Sequence, residues 1–199
     1  MKVSKYSVWP ALLIPAAILV VFLKYFPYLP GDIASTRLVQ SLLPESKRWA
    51  QLVSVTAEMP WVLILIGTTF FCSWVIAGWR AALLSLASFT GLWLLGKWLG
   101  PFVAQPRPSP ELVEVTRSLS GSAFPSIFAF NYISTVGFLA VLAAVKASDK
   151  TRWAVVLICS ALLLTGWVAR VDLAAHWPSD VTISYFIGLI WIGFLVRFA

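Results

Sequence analysis

The chain alternates between long apolar stretches and shorter polar ones. Six apolar stretches, at residues about 8–26, 61–78, 82–103, 127–145, 153–169 and 181–196, come close to the roughly 20 residues a helix needs to cross a bilayer. They predict an all-α, polytopic membrane protein of six transmembrane helices, forming one domain over residues 1–199. Pro10 and Pro15 fall in the first stretch, where a helix start or a kink tolerates them. Residues 27–60 read differently. The spacing of Ile33, Leu38, Leu42 and Leu43, then Trp49, Leu52 and Val53, predicts short amphipathic helices at the membrane interface, punctuated by Asp32 and Pro44. Trp61, Trp79, Trp98, Trp153 and Trp177 stand near the ends of the apolar stretches, as an aromatic belt would.

Composition agrees with a lipid environment. Hydrophobic residues make up 60% of the 199 and charged residues 12%, with a mean hydropathy of +0.87, whereas a soluble domain is nearer one quarter charged. The formal net charge of +7 comes without a basic run or interleaved aromatics, so it does not point to nucleic acid. It suits loops beside anionic lipid. Cys72 and Cys159 both lie inside apolar stretches and imply no disulfide framework. The first stretch is long enough to span and has no evident cleavage site. With six spans, Lys2, Lys5, Arg80, Lys146, Lys150, Arg152 and Arg197 share one side, which the positive-inside rule makes cytoplasmic. The other side carries basic residues mixed with acids, among them Glu45, Glu58, Glu111 and Glu114.

Three polar segments hold the candidate chemistry: Gln105-Pro-Arg-Pro108, Phe124-Pro-Ser126 and Ala169–Asp180. Six spans bring all three to one membrane face, so Arg107, Arg170, Ser126, His176 and Asp180 converge. Guanidinium forks and a hydroxyl suit a tetrahedral oxyanion. A histidine four residues before an aspartate suits a nucleophilic imidazole oriented by a carboxylate. Each residue taken singly also has a structural reading: the arginines as snorkelling helix ends, His176 as an interfacial anchor, Ser126 and Asp180 as helix caps.

The pattern Arg170-x5-His176-x3-Asp180 resembles the third motif of the type 2 phosphatidic-acid phosphatase family (lipid phosphatases and haloperoxidases). Pro106–Val113 resembles the end of its first motif, Lys-x6-Arg-Pro, and Phe124-Pro-Ser126 the start of its second, Pro-Ser-Gly-His. The resemblance implies that His176 attacks phosphorus to form a phosphohistidine while Asp180 orients the imidazole. Arg107, Arg170 and Ser126 would hold the phosphoryl oxygens, with no metal or other cofactor. It further implies a substrate lipid carrying a phosphate or diphosphate, and a bacterial-type plasma membrane with the site on the outer face.

The match is degenerate. Ile127-Phe128 replaces the Gly-His of the second motif, and His176 is the only histidine, so the proton donor to the leaving group is missing. The first-motif lysine position holds Gly100, and Ala169 replaces the serine opening the third motif. Lys97, one turn before Gly100, and Asp172, two residues past Arg170, are the candidates for compensation. Two functions follow from the residues. One is a hydrolase of lipid phosphates or polyprenyl diphosphates, impaired or narrowed. The other is an inactive relative that binds a lipid phosphate or serves a membrane-protein partner.

Overall fold

A computed structural model describes residues 8–116 and 119–199. Eight helices, and no strand among the described residues, run in the order α1 (Val8–Tyr25), α2 (Asp32–Leu42), α3 (Arg48–Val55), α4 (Val62–Ala77), α5 (Trp79–Val103), α6 (Ile127–Lys146), α7 (Asp149–Asp172) and α8 (Pro178–Phe198). Four of them, α5 to α8, are long and apolar enough to cross a membrane. The apolar part of α1 and all of α4 are shorter. Large side chains such as Ile64, Phe71, Val75, Leu157, Ile158 and Leu164 point outward. An apolar exterior of this extent has no place in water, and the chain is an integral membrane protein.

Each of the six expected apolar stretches falls on one of these helices, and three helices begin earlier than expected: α5 at Trp79, α7 at Asp149 in place of 153, and α8 at Pro178 in place of 181. Span three was expected from residue 82, yet α5 begins at Trp79. Gly78 has φ +85°, a conformation that a side chain disfavours, and it turns α4 directly into α5. The stretch between spans one and two does contain two short helices, α2 and α3. They pack against the C-terminal half of the bundle's α7 through Lys47, whose Nζ meets Asp172 Oδ1 at 2.7 Å, and through Gln40, whose Nε2 donates to the Asp172 carbonyl at 3.1 Å.

The central element is α6. Of its apolar window 78% is buried, against 28–39% in α5, α7 and α8. Phe130, Ile133 and Phe138 of α6 form the core with Leu92 of α5 and Ile183 and Ile192 of α8. Its middle widens into a π-turn over Ile133–Gly137. There Ser134 Oγ and Thr135 Oγ1 both donate to the Asn131 carbonyl, at 3.1 and 2.6 Å, supplying partners where the helical ladder is disturbed. Ile133 projects into a notch opposite Gly188 of α8. A Cβ on Gly188 would come within 2.3 Å of Ile133 Cγ2.

That notch sets the spacing of α6 and α8, the two helices whose N-termini open on the polar face. Gly188→Ala should lower the thermal unfolding temperature in detergent, consistent with an overpacking cost of about 1–3 kcal/mol. Gly188→Ala should cost less in an Ile133→Ala background than in the unmodified protein, because that change removes Cγ2 and Cγ1, the two atoms nearest the new methyl.

Candidate active site

The polar face forms where α5 and α7 end and α6 and α8 begin. Past α5, Ala104 takes a left-handed conformation (φ 54°) and the chain leaves the helix. The returning segment is clipped to it: Ala123 N–H donates to the Gln105 carbonyl at 2.8 Å, and Gln105 N–H donates to Ser122 Oγ at 3.0 Å. Arg107 closes the arrangement. Its Nη1 donates to the Ala175 carbonyl at 2.7 Å, its Nε to Gly121 at 3.2 Å and its Nη2 to Ser120 at 3.3 Å. One guanidinium thus ties the two strands of this connection to the α7–α8 turn.

His176 sits in that turn, buried. Its Nδ1 lies 2.6 Å from the Ala123 carbonyl oxygen. A carbonyl only accepts, so Nδ1 carries the proton and Nε2 keeps its lone pair. Nε2 faces Arg107, whose Nη1 is 3.5 Å away. Burial holds the imidazole pKa well below its usual 6.5, reinforced by the positive fields of Arg170 and Arg107 and opposed by the bond to Ala123. The ring is neutral at neutral pH, with the Nε2 lone pair turned toward the Arg107 guanidinium. Desolvation likewise lowers the pKa of Arg107, and the negative charge of Asp180 counters that shift.

A pocket of about 170 Å³ opens beside His176, lined also by Arg107, Arg170, Ser54, Glu58 and Asn131 among others. Arg170 reaches it from the last turn of α7. Its Nη1 donates to Ser54 Oγ at 3.0 Å, and its guanidinium lies 5.3 Å from the centre of the Phe128 ring. Phe128 stacks on Tyr132 with centroids 4.3 Å apart and fits against Gly166, where a Cβ would come within 2.9 Å of the ring. The phenyl ring therefore forms one wall and supports Arg170. It reshapes the cavity and leaves it open.

Arg107, Arg170 and His176 come together as expected. Ser126 and Asp180 do not reach the pocket wall. Ser126 is the N-cap of α6: its Oγ accepts the Ala129 N–H at 3.3 Å, and its own N–H donates to Ser184 Oγ at 3.1 Å. Asp180 was expected to orient the imidazole. Because Pro178 starts α8 directly after Trp177, Asp180 falls in the first turn, and its Oδ2 accepts the Trp177 N–H at 2.9 Å. The Ala123 carbonyl takes the expected place at Nδ1.

The two expected compensating residues, Asp172 and Lys97, are absent from the lining of this pocket. Asp172 is fully buried and forms an ion pair with Lys47 at 2.7 Å. The Lys97 ammonium lies 4.1 Å from the centre of the Trp93 ring, on the turn before it, as the N-terminal lean of helical side chains dictates. It borders a separate cavity of about 400 Å³ that shares Arg107 and Ile127 with the first. Ser54, Glu58 and Asn131 were missed. Asn131 had a signal, a polar amide in the middle of an apolar span; the other two lie in a stretch that offered none. Among the described residues, no three His, Cys, Asp or Glu side chains gather as a metal would require.

The PAP2 superfamily model matches residues 78–199, more than half of the chain. The chain belongs to the PAP2 superfamily. The crystal structure of a transmembrane PAP2-type phosphatidylglycerolphosphate phosphatase from Bacillus subtilis superposes with a TM-score of 0.72 at 19% identity, covering 92% of this chain and 93% of that one. This likeness concerns the PAP2 fold. No curated protein matches the sequence. In this member of the PAP2 superfamily Arg107, Arg170 and His176 line one pocket, and Phe128 forms part of its wall.

The Lys47–Asp172 pair separates a structural from a chemical role for Asp172. Asp172→Ala should cost about 3–5 kcal/mol by leaving a buried ammonium unpaired. Replacing both residues with Met should restore thermal stability in detergent. Affinity for inorganic phosphate in the double variant should match that of the unmodified protein.

Proposed function

We propose that this PAP2 protein is a membrane lipid phosphatase that works through a phosphohistidine on His176 and prefers a polyprenyl diphosphate. The observation that carries this reading is the Nε2 lone pair, held neutral and facing a pocket with two guanidinium groups. Nε2 attacks the terminal phosphorus, the bond to the bridging oxygen breaks, and the polyprenyl monophosphate departs. Arg107 and Arg170 neutralise the charge that builds on the transferring oxygens. The imidazole becomes cationic as it is phosphorylated, and the Ala123 carbonyl stabilises it through Nδ1–H. Water then hydrolyses the P–N bond, releasing inorganic phosphate and restoring the lone pair.

The substrate preference follows from the missing acid. General acid catalysis contributes about 10²–10⁴-fold, and an alkoxide such as the leaving group of phosphatidate depends on it. A departing phosphate monoester, with a second pKa of about 6, does not. The positions of the polar residues support six spans, with α1 and α4 included, and α2 and α3 at the interface. They also support cytoplasmic termini and a site on the outer face, since Arg80, Lys146, Lys150, Arg152 and Arg197 collect at the opposite end of the bundle.

One observation favours a second reading. Phe128, packed against Gly166 and Tyr132, is built into the wall where the acid would stand. A protein that only binds lipid phosphate, alone or beside a membrane partner, would tolerate that. Phosphate release in detergent from undecaprenyl diphosphate and phosphatidate, offered in parallel, decides between the two. The phosphatase reading predicts release from the diphosphate that disappears in His176→Ala, with phosphatidate slower by a factor of about 10² or more. Equal rates on both lipids contradict the preference. Release no faster than that of His176→Ala on either lipid establishes the binding protein.

A further inference from the structure

Hydrolysis of the phosphohistidine needs a base for water, and the second-motif position cannot provide one. We infer that Glu58 is this base. The inference rests on the phosphohistidine reading above. Among the described residues that line the pocket, Glu58 is the only carboxylate. The other polar lining groups are two guanidiniums, a serine hydroxyl, an asparagine amide and the imidazole that carries the phosphoryl group. None of these is a proton acceptor of suitable strength once His176 is phosphorylated.

The segment that presents Glu58 is fastened to the pocket wall. Ser54 Oγ accepts from Arg170 at 3.0 Å, Thr56 Oγ1 is hydrogen-bonded to the Tyr132 hydroxyl, and the Ala57 carbonyl accepts from Asn131 Nδ2 at 3.0 Å. The backbone of Glu58 is itself fixed between α3 and α4: its N–H donates to the Val55 carbonyl and its carbonyl accepts the Val62 N–H, both at 2.9 Å. His176 and Arg170 are buried, whereas Glu58 is exposed, and all three line the cavity. In the second half-reaction Glu58 takes a proton from water as the oxygen attacks phosphorus. The P–Nε2 bond breaks, its electron pair returns to the imidazole, and the proton passes from Glu58 to solvent.

The arrangement divides the labour. Glu58 is assigned to the second half-reaction alone, and the first has no acid at the second-motif position. The first step thus stays restricted to leaving groups that depart unprotonated, and the second gains its catalyst.

The test uses the full chain in detergent with undecaprenyl diphosphate. Glu58→Gln should release a burst of undecaprenyl monophosphate equal to the enzyme present. Inorganic phosphate release should fall about 10²-fold or more, with acid-labile phosphate accumulating on His176. Formate should restore phosphate release in Glu58→Ala. Wild-type rates in Glu58→Gln, or equal slowing of both products without a burst, overturn the assignment and leave the phosphatase reading standing. No turnover by the unmodified protein above His176→Ala overturns both.

Discussion

The hydrogen bond from His176 Nδ1 to the Ala123 carbonyl, 2.6 Å long and buried, is the constraint on which the rest of the site depends. It assigns the proton to one ring nitrogen and leaves the lone pair on the other. The carbonyl is in place only because Ala123 N–H is bound to Gln105 and because Arg107 holds the neighbouring carbonyls of Ser120 and Gly121. Arg107 therefore has two duties: it builds the loop that orients the histidine, and it charges the pocket that the histidine faces. The low proton affinity of the imidazole has the same origin, since burial and the two guanidiniums all penalise a second proton.

The aspartates around the site serve the architecture. Asp32 accepts from Leu29 N–H, Ser179 N–H and Ser179 Oγ, pinning the start of α2 to the N-terminus of α8. Asp172 neutralises Lys47, and Asp180 caps α8. With these three committed elsewhere, the described pocket lining has two arginines and a single glutamate. Such a pocket attracts an anion and offers its leaving group little proton assistance. The proposed preference for a diphosphate and the inferred role of Glu58 are two consequences of that one imbalance. Phe128 fits the same scheme, since the ring that displaces an acid supports Arg170.

The apolar runs made the helices legible, because helix length and hydropathy are properties of contiguous sequence. The motif spacing likewise carried Arg107, Arg170 and His176 into one pocket. What stayed hidden depends on backbone atoms and on distant partners. Ala123 contributes a carbonyl, which no side-chain pattern reveals. Asp180 follows Pro178 into the first turn of α8, where capping wins over contact with the imidazole. Asp172 meets a lysine 125 residues away, and only the packing of α3 on α7 brings the two together. Ser54 and Glu58 belong to a stretch whose amphipathic spacing described its apolar face alone.

The central claim, a neutral histidine with its lone pair on Nε2, is open to direct measurement because the chain has a single histidine. Nitrogen-15 spectra of the detergent-solubilised protein labelled in histidine report that one imidazole without assignment. The account predicts a protonated Nδ1 and an unprotonated Nε2 at pH 7, unchanged as the pH falls through the usual histidine value of 6.5. A proton on Nε2 at neutral pH, or an imidazolium formed at or above pH 6.5, would contradict it.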